Sequence, residues 1–163
     1  MNARRIAAVV VGAMALVGAS ALALHAGVAA RTDATRESII ASLEPGQTWT
    51  LESENTRTTG PLGLCLVGVL DVRPCSSTHL HFAVPLDQSL DASSLAALLP
   101  GLTWTGNGEE CGDVPTNFGG TLRLCELETE VDGFTVEAWI AADIELGGIV
   151  DGHDVVVAMS PVD

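Results

Sequence analysis

Residues 121–142 have the sequence TLRLCELETEVDGFTVEAWIAA, in which Asp132-Gly133 separates two alternating apolar runs. Asp-Gly in this setting is a strong hairpin signal, because a type I′ turn needs positive φ at both central residues. Counting outward from the turn predicts an apolar side that covers a core. The pairs expected there are Val131–Phe134, Thr129–Val136, Leu127–Ala138 and Cys125–Ile140.

The other side of this hairpin carries most of the candidate binding residues. The pairs expected there are Glu130–Thr135, Glu128–Glu137 and Glu126–Trp139. Two carboxylates directly opposite each other repel by up to about 1 kcal/mol, which a cation or an arginine would relieve. An exposed tryptophan among glutamates is typical of a contact patch for a basic partner. The alternative is an ordinary solvated face, with Trp139 covered by residues 117–120 or by a helix.

The first thirty residues have the pattern of an export signal. Arg4 and Arg5 precede the apolar run Ile6–Leu24, and Val28-Ala29-Ala30 offers small residues for cleavage. The run is longer than in a typical signal peptide and approaches the roughly 20 residues that span a bilayer. Residues 1–30 are therefore either a signal peptide or an uncleaved membrane anchor. Residues 31–163 are expected to form a single extracytoplasmic domain, secreted or anchored.

The exported part is strongly acidic. All 21 acidic residues follow residue 30, against five of the seven basic ones, so its formal charge is 5 − 21 = −16. Without a basic stripe to neutralise phosphates, nucleic acid is excluded as a partner. An anionic membrane surface is equally unfavourable for the folded part. A basic protein or another cationic partner fits this charge, and so does the simpler alternative that the charge maintains solubility.

The chain has four cysteines, Cys65, Cys75, Cys111 and Cys125. An even number in an extracytoplasmic domain predicts two disulfides, and their separations favour Cys65–Cys75 and Cys111–Cys125. No two cysteines have the Cys-x-x-Cys spacing of a zinc site or a redox pair. Their expected role is structural.

Elsewhere the pattern predicts short helices and strands. Asp33 and Asp91 are expected N-caps of two short helices that end before Pro45-Gly46 and Pro100-Gly101. Residues 62–72 are nearly all apolar and predict a central strand buried on both faces, whereas residues 55–61 predict a loop. The other expected strands are Gln47–Ser53, Thr78–Val84, Leu102–Thr105, Ile144–Val150 and Val155–Met159, the last two flanking a turn at 151–154.

This order of elements predicts an α+β fold. The expected architecture is a mainly antiparallel sheet of about six to eight strands with two short helices on one face, stabilised by two disulfides.

His79-Leu80-His81 is the pair most suggestive of metal chemistry. Residues i and i+2 of a strand point to the same side, roughly 6.5–7 Å apart at Cα, so that two imidazoles can share one ion. His153 or one of the hairpin glutamates would have to supply a third ligand. The alternative is that both histidines lie on the solvated side of an amphipathic strand above Leu80 and Phe82.

Signatures of catalysis are absent from the sequence. It contains no nucleophile elbow, zinc-protease helix, phosphate loop or dinucleotide fingerprint, and neither lysine nor tyrosine. The favoured function is a non-enzymatic, disulfide-stabilised binding domain of the bacterial cell envelope or extracellular space. The alternative is a metal-binding protein or a metal-dependent enzyme using His79 and His81, with a divalent metal as its only expected cofactor. A third hypothesis is that the protein is a structural component of the envelope without a discrete binding site.

Overall fold

The computed structural model describes residues 3–58, 64–67, 71–74, 76–106, 119–145 and 149–162. Its elements are, in chain order, α1 (Ala3–Ser42), β1 (Thr50–Thr58), β2 (Leu64–Val67), β3 (Asp71–Pro74), β4 (Ser76–Ala83), α2 (Ala92–Ala96), β5 (Thr105–Gly106), β6 (Gly120–Val131), β7 (Phe134–Glu145) and β8 (Ile149–Pro161). The chain divides into two compact units, Met1–Thr35 and Arg36–Asp163.

The second unit is built on a six-stranded sheet in the order β1-β4-β8-β7-β6-β5. Every neighbouring pair in it is antiparallel. β2 and β3 form a separate two-stranded antiparallel sheet. A mostly antiparallel sheet with two helices confirms the predicted α+β class.

The Asp132-Gly133 hairpin forms at the predicted turn. Asp132 has a φ of 50° and Gly133 a φ of 80°, the left-handed values that a type I′ turn requires. The five pairs nearest the turn, from Val131–Phe134 to Leu127–Ala138, have the predicted register. On the core side Leu127, Phe134 and Val136 are buried, as the alternation predicts.

Beyond Leu127 the predicted pair Cys125–Ile140 is wrong, and Glu126 shares the position opposite Trp139 with Cys125 instead of pairing with Trp139 alone. Leu124, not Cys125, lies opposite Ile140, because β6 contains a bulge between Leu124 and Leu127. Cys125 adopts a φ of 49° within this bulge. Two residues of β6 therefore occupy the space opposite one residue of β7.

The second hairpin turns earlier than predicted. β8 runs without a break through residues 151–154, where the sequence predicts a turn. β7 ends at Glu145 and β8 begins at Ile149, so the connection is at 146–148, outside the described residues. A register shift between Asp143 and Ile144 accommodates the polar Asp151-Gly152 segment inside β8.

Three other strand predictions need correction. The apolar stretch 62–72 is not one central strand, because β2 inside it pairs with β3, which begins at Asp71 and continues to Pro74. Residues 62, 63 and 68–70 lie outside the description. The strand predicted over 47–53 is displaced to β1, so residues 55–58 belong to a strand and not to a loop. The strand predicted at 102–105 is reduced to β5.

The helices also differ from prediction. Asp33 is not an N-cap, because α1 begins at Ala3 and is 40 residues long rather than short. It ends at Ser42, before Pro45-Gly46 as expected. Asp91 caps α2 as predicted, accepting a hydrogen bond from the Ser94 N–H in a capping box, but α2 ends at Ala96. Within the described part of the chain, no helix combines the length and apolar character needed to cross a bilayer.

The core of the second unit lies on one side of the large sheet. The C-terminal turn of α1 contributes Ile39, and the α2 region contributes Leu95, Leu98 and Leu99, all buried. They pack with the inward residues of the strands into one apolar cluster. The strand residues of this cluster are Leu80, Phe82, Cys125, Leu127, Phe134, Val136, Ala138, Ile140, Val155, Val157 and Met159.

Cys125 is buried in this cluster, and it is not a free thiol. The side chains of Cys65, Cys75 and Cys111 lie outside the description. The pairs Cys65–Cys75 and Cys111–Cys125 therefore stay predictions.

Candidate functional site

The predicted binding residues of the hairpin share the side of the large sheet opposite the core, which we call the outward side. Glu128 lies directly opposite Glu137, as predicted. The row continues through Ala158 on β8 to His79 on β4 and Asn55 on β1. The next row places Trp139 beside Val156 and His81. The hairpin glutamates and the histidine pair therefore belong to one surface, with β8 between them.

The bulge in β6 brings Arg123 onto this surface beside Glu126. In a regular strand residues i and i+3 point to opposite sides, but the extra bulge residue restores them to one side. The sequence carries a signal for this bulge, since the apolar positions change from even (Leu122, Leu124) to odd (Cys125, Leu127). Strict alternation through Cys125 does not predict Arg123 as a residue of this surface, because it leaves out the bulge.

Arg123 forms the centre of a cluster with Glu126, Glu137 and Trp139, which we call the arginine cluster. Its guanidinium carbon lies 3.7 Å from the centroid of the Trp139 ring. Nη2 is 2.9 Å from a carboxylate oxygen of Glu126 and donates a 3.1 Å hydrogen bond to Glu137. The side chains of Arg123, Glu126 and Glu137 are 42%, 46% and 38% exposed, so each ion pair contributes at most about 1 kcal/mol.

The arginine cluster relieves only part of the like-charge repulsion. Arg123 shares its single charge between Glu126 and Glu137. No cation within the described ranges pairs with Glu128, which lies opposite Glu137, or with Glu130. Both of these glutamates are exposed. The hairpin thus presents two unpaired carboxylates next to a carboxylate–arginine–tryptophan arrangement.

Trp139 is partly buried, and among the described residues Arg123 and His79 contact its ring; residues 117 and 118, which the sequence offered as cover, lie outside the description. Arg123 lies over the ring, and His79 meets it edge-on, with 6.3 Å between centroids and an interplanar angle of 81°. Val156, between Trp139 and His81, is only 2% exposed although it is on the outward side. The centre of the outward side is therefore a packed layer of side chains above small β8 residues, not a bare solvated face.

His79 and His81 lie on the same outward side of β4, as the strand alternation predicts. The proposed third ligands are not near them. His153 pairs with Ala142, which is buried, so it lies on the core side. Glu137 is separated from His79 by the whole of β8, a distance of about 10 Å between strand axes. No group of three potential ligands forms among the described residues. The metal site stays a prediction.

Asp154 is the carboxyl group most affected by this surface. Partial burial raises its pKa above the ordinary value of 3.8, and the nearby negative charges of Glu52 and Asp143 add to the effect. The imidazoles of His81 and His153 act in the opposite direction. Asp154 lies on the outward side of β8, opposite Ala83 and Ala141. Its environment marks a second acidic region beyond His81, separate from the hairpin glutamates.

This chain matches no known protein family, and neither a curated protein nor a solved structure is significantly similar to it.

Proposed function

We propose that this protein is an exported, non-enzymatic binding domain whose outward side takes a basic protein. The binding residues are Glu126, Glu128, Glu130, Glu137 and Trp139 on the β6–β7 hairpin. The observation that carries this proposal is the arginine cluster. This surface already holds one guanidinium between a tryptophan ring and two carboxylates, which is the chemistry by which a partner's arginine would be held.

The unpaired carboxylates define where the partner's cation goes. Glu128 and Glu130 are two residues apart on one strand and point to the same side. Glu128 also lies opposite Glu137, so a cation at this point would relieve a repulsion that Arg123 leaves partly in place. Binding of this kind is expected to weaken with salt, because the contributing charges are exposed.

Export and disulfide formation are parts of the same proposal. Arg4, Arg5 and the apolar run after them support delivery across a membrane, by a cleaved signal or an anchor. The four cysteines would then pair as Cys65–Cys75 and Cys111–Cys125. A −16 charge on residues 31–163 supports selection of a cationic partner from the extracytoplasmic environment.

A nine-residue arginine peptide labelled with a fluorophore tests the proposal as a surrogate for the basic partner. We expect the double variant Glu128→Gln/Glu130→Gln to weaken its binding about tenfold in fluorescence anisotropy, since two charge contacts are lost. The matched control is Glu44→Gln/Asp87→Asn, which removes the same charge from exposed positions away from the hairpin. An equal loss in both variants would show that only net charge matters and would overturn the assignment of this surface.

A further inference from the structure

β1 is an edge strand of the six-stranded sheet, and no described strand pairs with its outer side. It stands at the end of the six-stranded sheet and, among the described residues, pairs with β4 alone. All nine of its residues are exposed, including Leu51 at 48%. A long exposed edge is a template for another strand, and soluble proteins usually shorten or cover such edges.

We propose that two copies of this protein pair antiparallel through β1 about a twofold axis at Asn55. The two six-stranded sheets then join into one of twelve strands. The partner strand is the same surface on the second copy, so each contact occurs twice.

The side-chain directions of β1 restrict the possible registers. Ser53, Asn55 and Arg57 pair with His81, His79 and Ser77, which places them on the outward side. Glu54 and Thr56 alternate with them on the core side. Residues that lie opposite each other in an antiparallel pair point to the same side of the sheet. The twofold axis must therefore lie between the two copies of one residue, so that each outward residue faces another outward residue.

Charge selects Asn55 among the central positions. An axis at Glu54 would oppose two Glu54 carboxylates, which is unfavourable. An axis at Asn55 opposes Glu54 to Thr56 of the partner subunit and Ser53 to the partner's Arg57. An axis at Thr56 would place Arg57 opposite the partner's Asn55. Arg57 would then be far from the acidic residues on the outward side of the partner strand.

A bulge in β1 adds the negative charge of Glu52 next to the contact between Ser53 and the partner's Arg57. The register shifts between Leu51 and Ser53, so Glu52 is the extra residue. The bulge puts Glu52 next to Ser53, opposite His81 on the outward side, and the effect of its charge on the pKa of outward Asp154 is consistent with that position. In the register centred on Asn55, Glu52 therefore lies beside the partner's Arg57. Within the described part of a single chain, neither Glu52 nor Arg57 has an ion-pair partner.

Sedimentation velocity on the full chain at physiological salt tests the dimer. We expect the wild-type protein to have a sedimentation-derived mass twice that of one chain. Arg57→Glu or Glu52→Arg should raise the dissociation constant of the dimer about tenfold, because each substitution changes two symmetric contacts. The charge-swapped double variant Glu52→Arg/Arg57→Glu should restore it. A monomer at every concentration, or a dimer that neither single variant weakens, would overturn the proposal. A dimer formed through the N-terminal helix would have the same dissociation constant in all of these variants, which distinguishes it from a dimer formed through β1.

Cross-linking tests the register independently. Asn55→Cys would place two thiols at the axis and should form an intermolecular disulfide under mild oxidation. Ser53→Cys is the matched control, since the two copies of residue 53 would be about 13 Å apart, four residues along the strand direction. Cross-linking of Ser53→Cys without Asn55→Cys would exclude this register.

Discussion

At the scale of single residues, Asp154 is the group whose surroundings oppose its charge. Its partial burial and the neighbouring Glu52 and Asp143 raise its pKa in the folded protein, with His81 and His153 only partly compensating. The folded state therefore holds a proton that the unfolded chain releases at lower pH. Between these two pKa values stability falls as the pH rises, and above them the ionised carboxylate carries its full unfavourable contribution.

We accordingly expect Asp154→Asn to be more resistant to urea than the wild-type protein at pH 7. The advantage should shrink as the pH falls from above the raised pKa of folded Asp154 toward about 4, and it should be lost below that, where Asp154 is protonated in both the folded and unfolded states. Urea unfolding at several pH values measures this difference. Asp87→Asn, in the exposed loop after β4, is the control and should change little. A lower urea midpoint for Asp154→Asn at pH 7 would contradict the effect assigned to burial.

At the scale of elements, the β6–β7 hairpin depends on its turn. Gly133 has a φ of 80°, and a Cβ placed there would meet no atom within 4 Å. Gly133→Ala should therefore destabilise the protein through backbone conformation alone, by roughly 1 kcal/mol. The free energy of unfolding in urea measures this loss.

Gly152→Ala is the matched control for this prediction. Gly152 lies inside β8, and a Cβ there would make only ordinary contacts of 3.9–4.0 Å with Asp143. We expect a change within about 0.5 kcal/mol, since neither backbone strain nor a clash is introduced. Equal destabilisation by the two alanines would mean that the turn conformation is not what Gly133 provides.

At the scale of the whole molecule, charge opposes compactness. The part after residue 30 carries a formal charge of −16, with 21 acidic residues against five arginines. Salt shortens the screening length from about 30 Å at 0.01 M to about 3 Å at 1 M, which reduces this self-repulsion. We expect the thermal midpoint to rise with sodium chloride.

The double variant Glu128→Gln/Glu130→Gln carries two fewer negative charges. Its thermal midpoint should therefore rise less than that of the wild-type protein over the same salt range. A thermal midpoint that falls with salt would mean that attractive pairs such as Arg123–Glu137 outweigh the general repulsion.

The sequence by itself determined the features that arise from local pattern. The Asp132-Gly133 turn, the register next to it, the alternation of β4 and the cap at Asp91 follow from backbone preferences and side-chain periodicity, which act over a few residues. The α+β class follows from the order of those elements.

The tertiary structure alone decided how the strands meet. A bulge in β6 moves Arg123 over Trp139, and a bulge in β8 carries the polar segment 151–154 into a strand, because pairing with β7 outweighs local turn preference. The separation of His79 from Glu137 by β8 was equally hidden, since strand order depends on long-range packing that no local pattern encodes. The arginine cluster is a product of that packing.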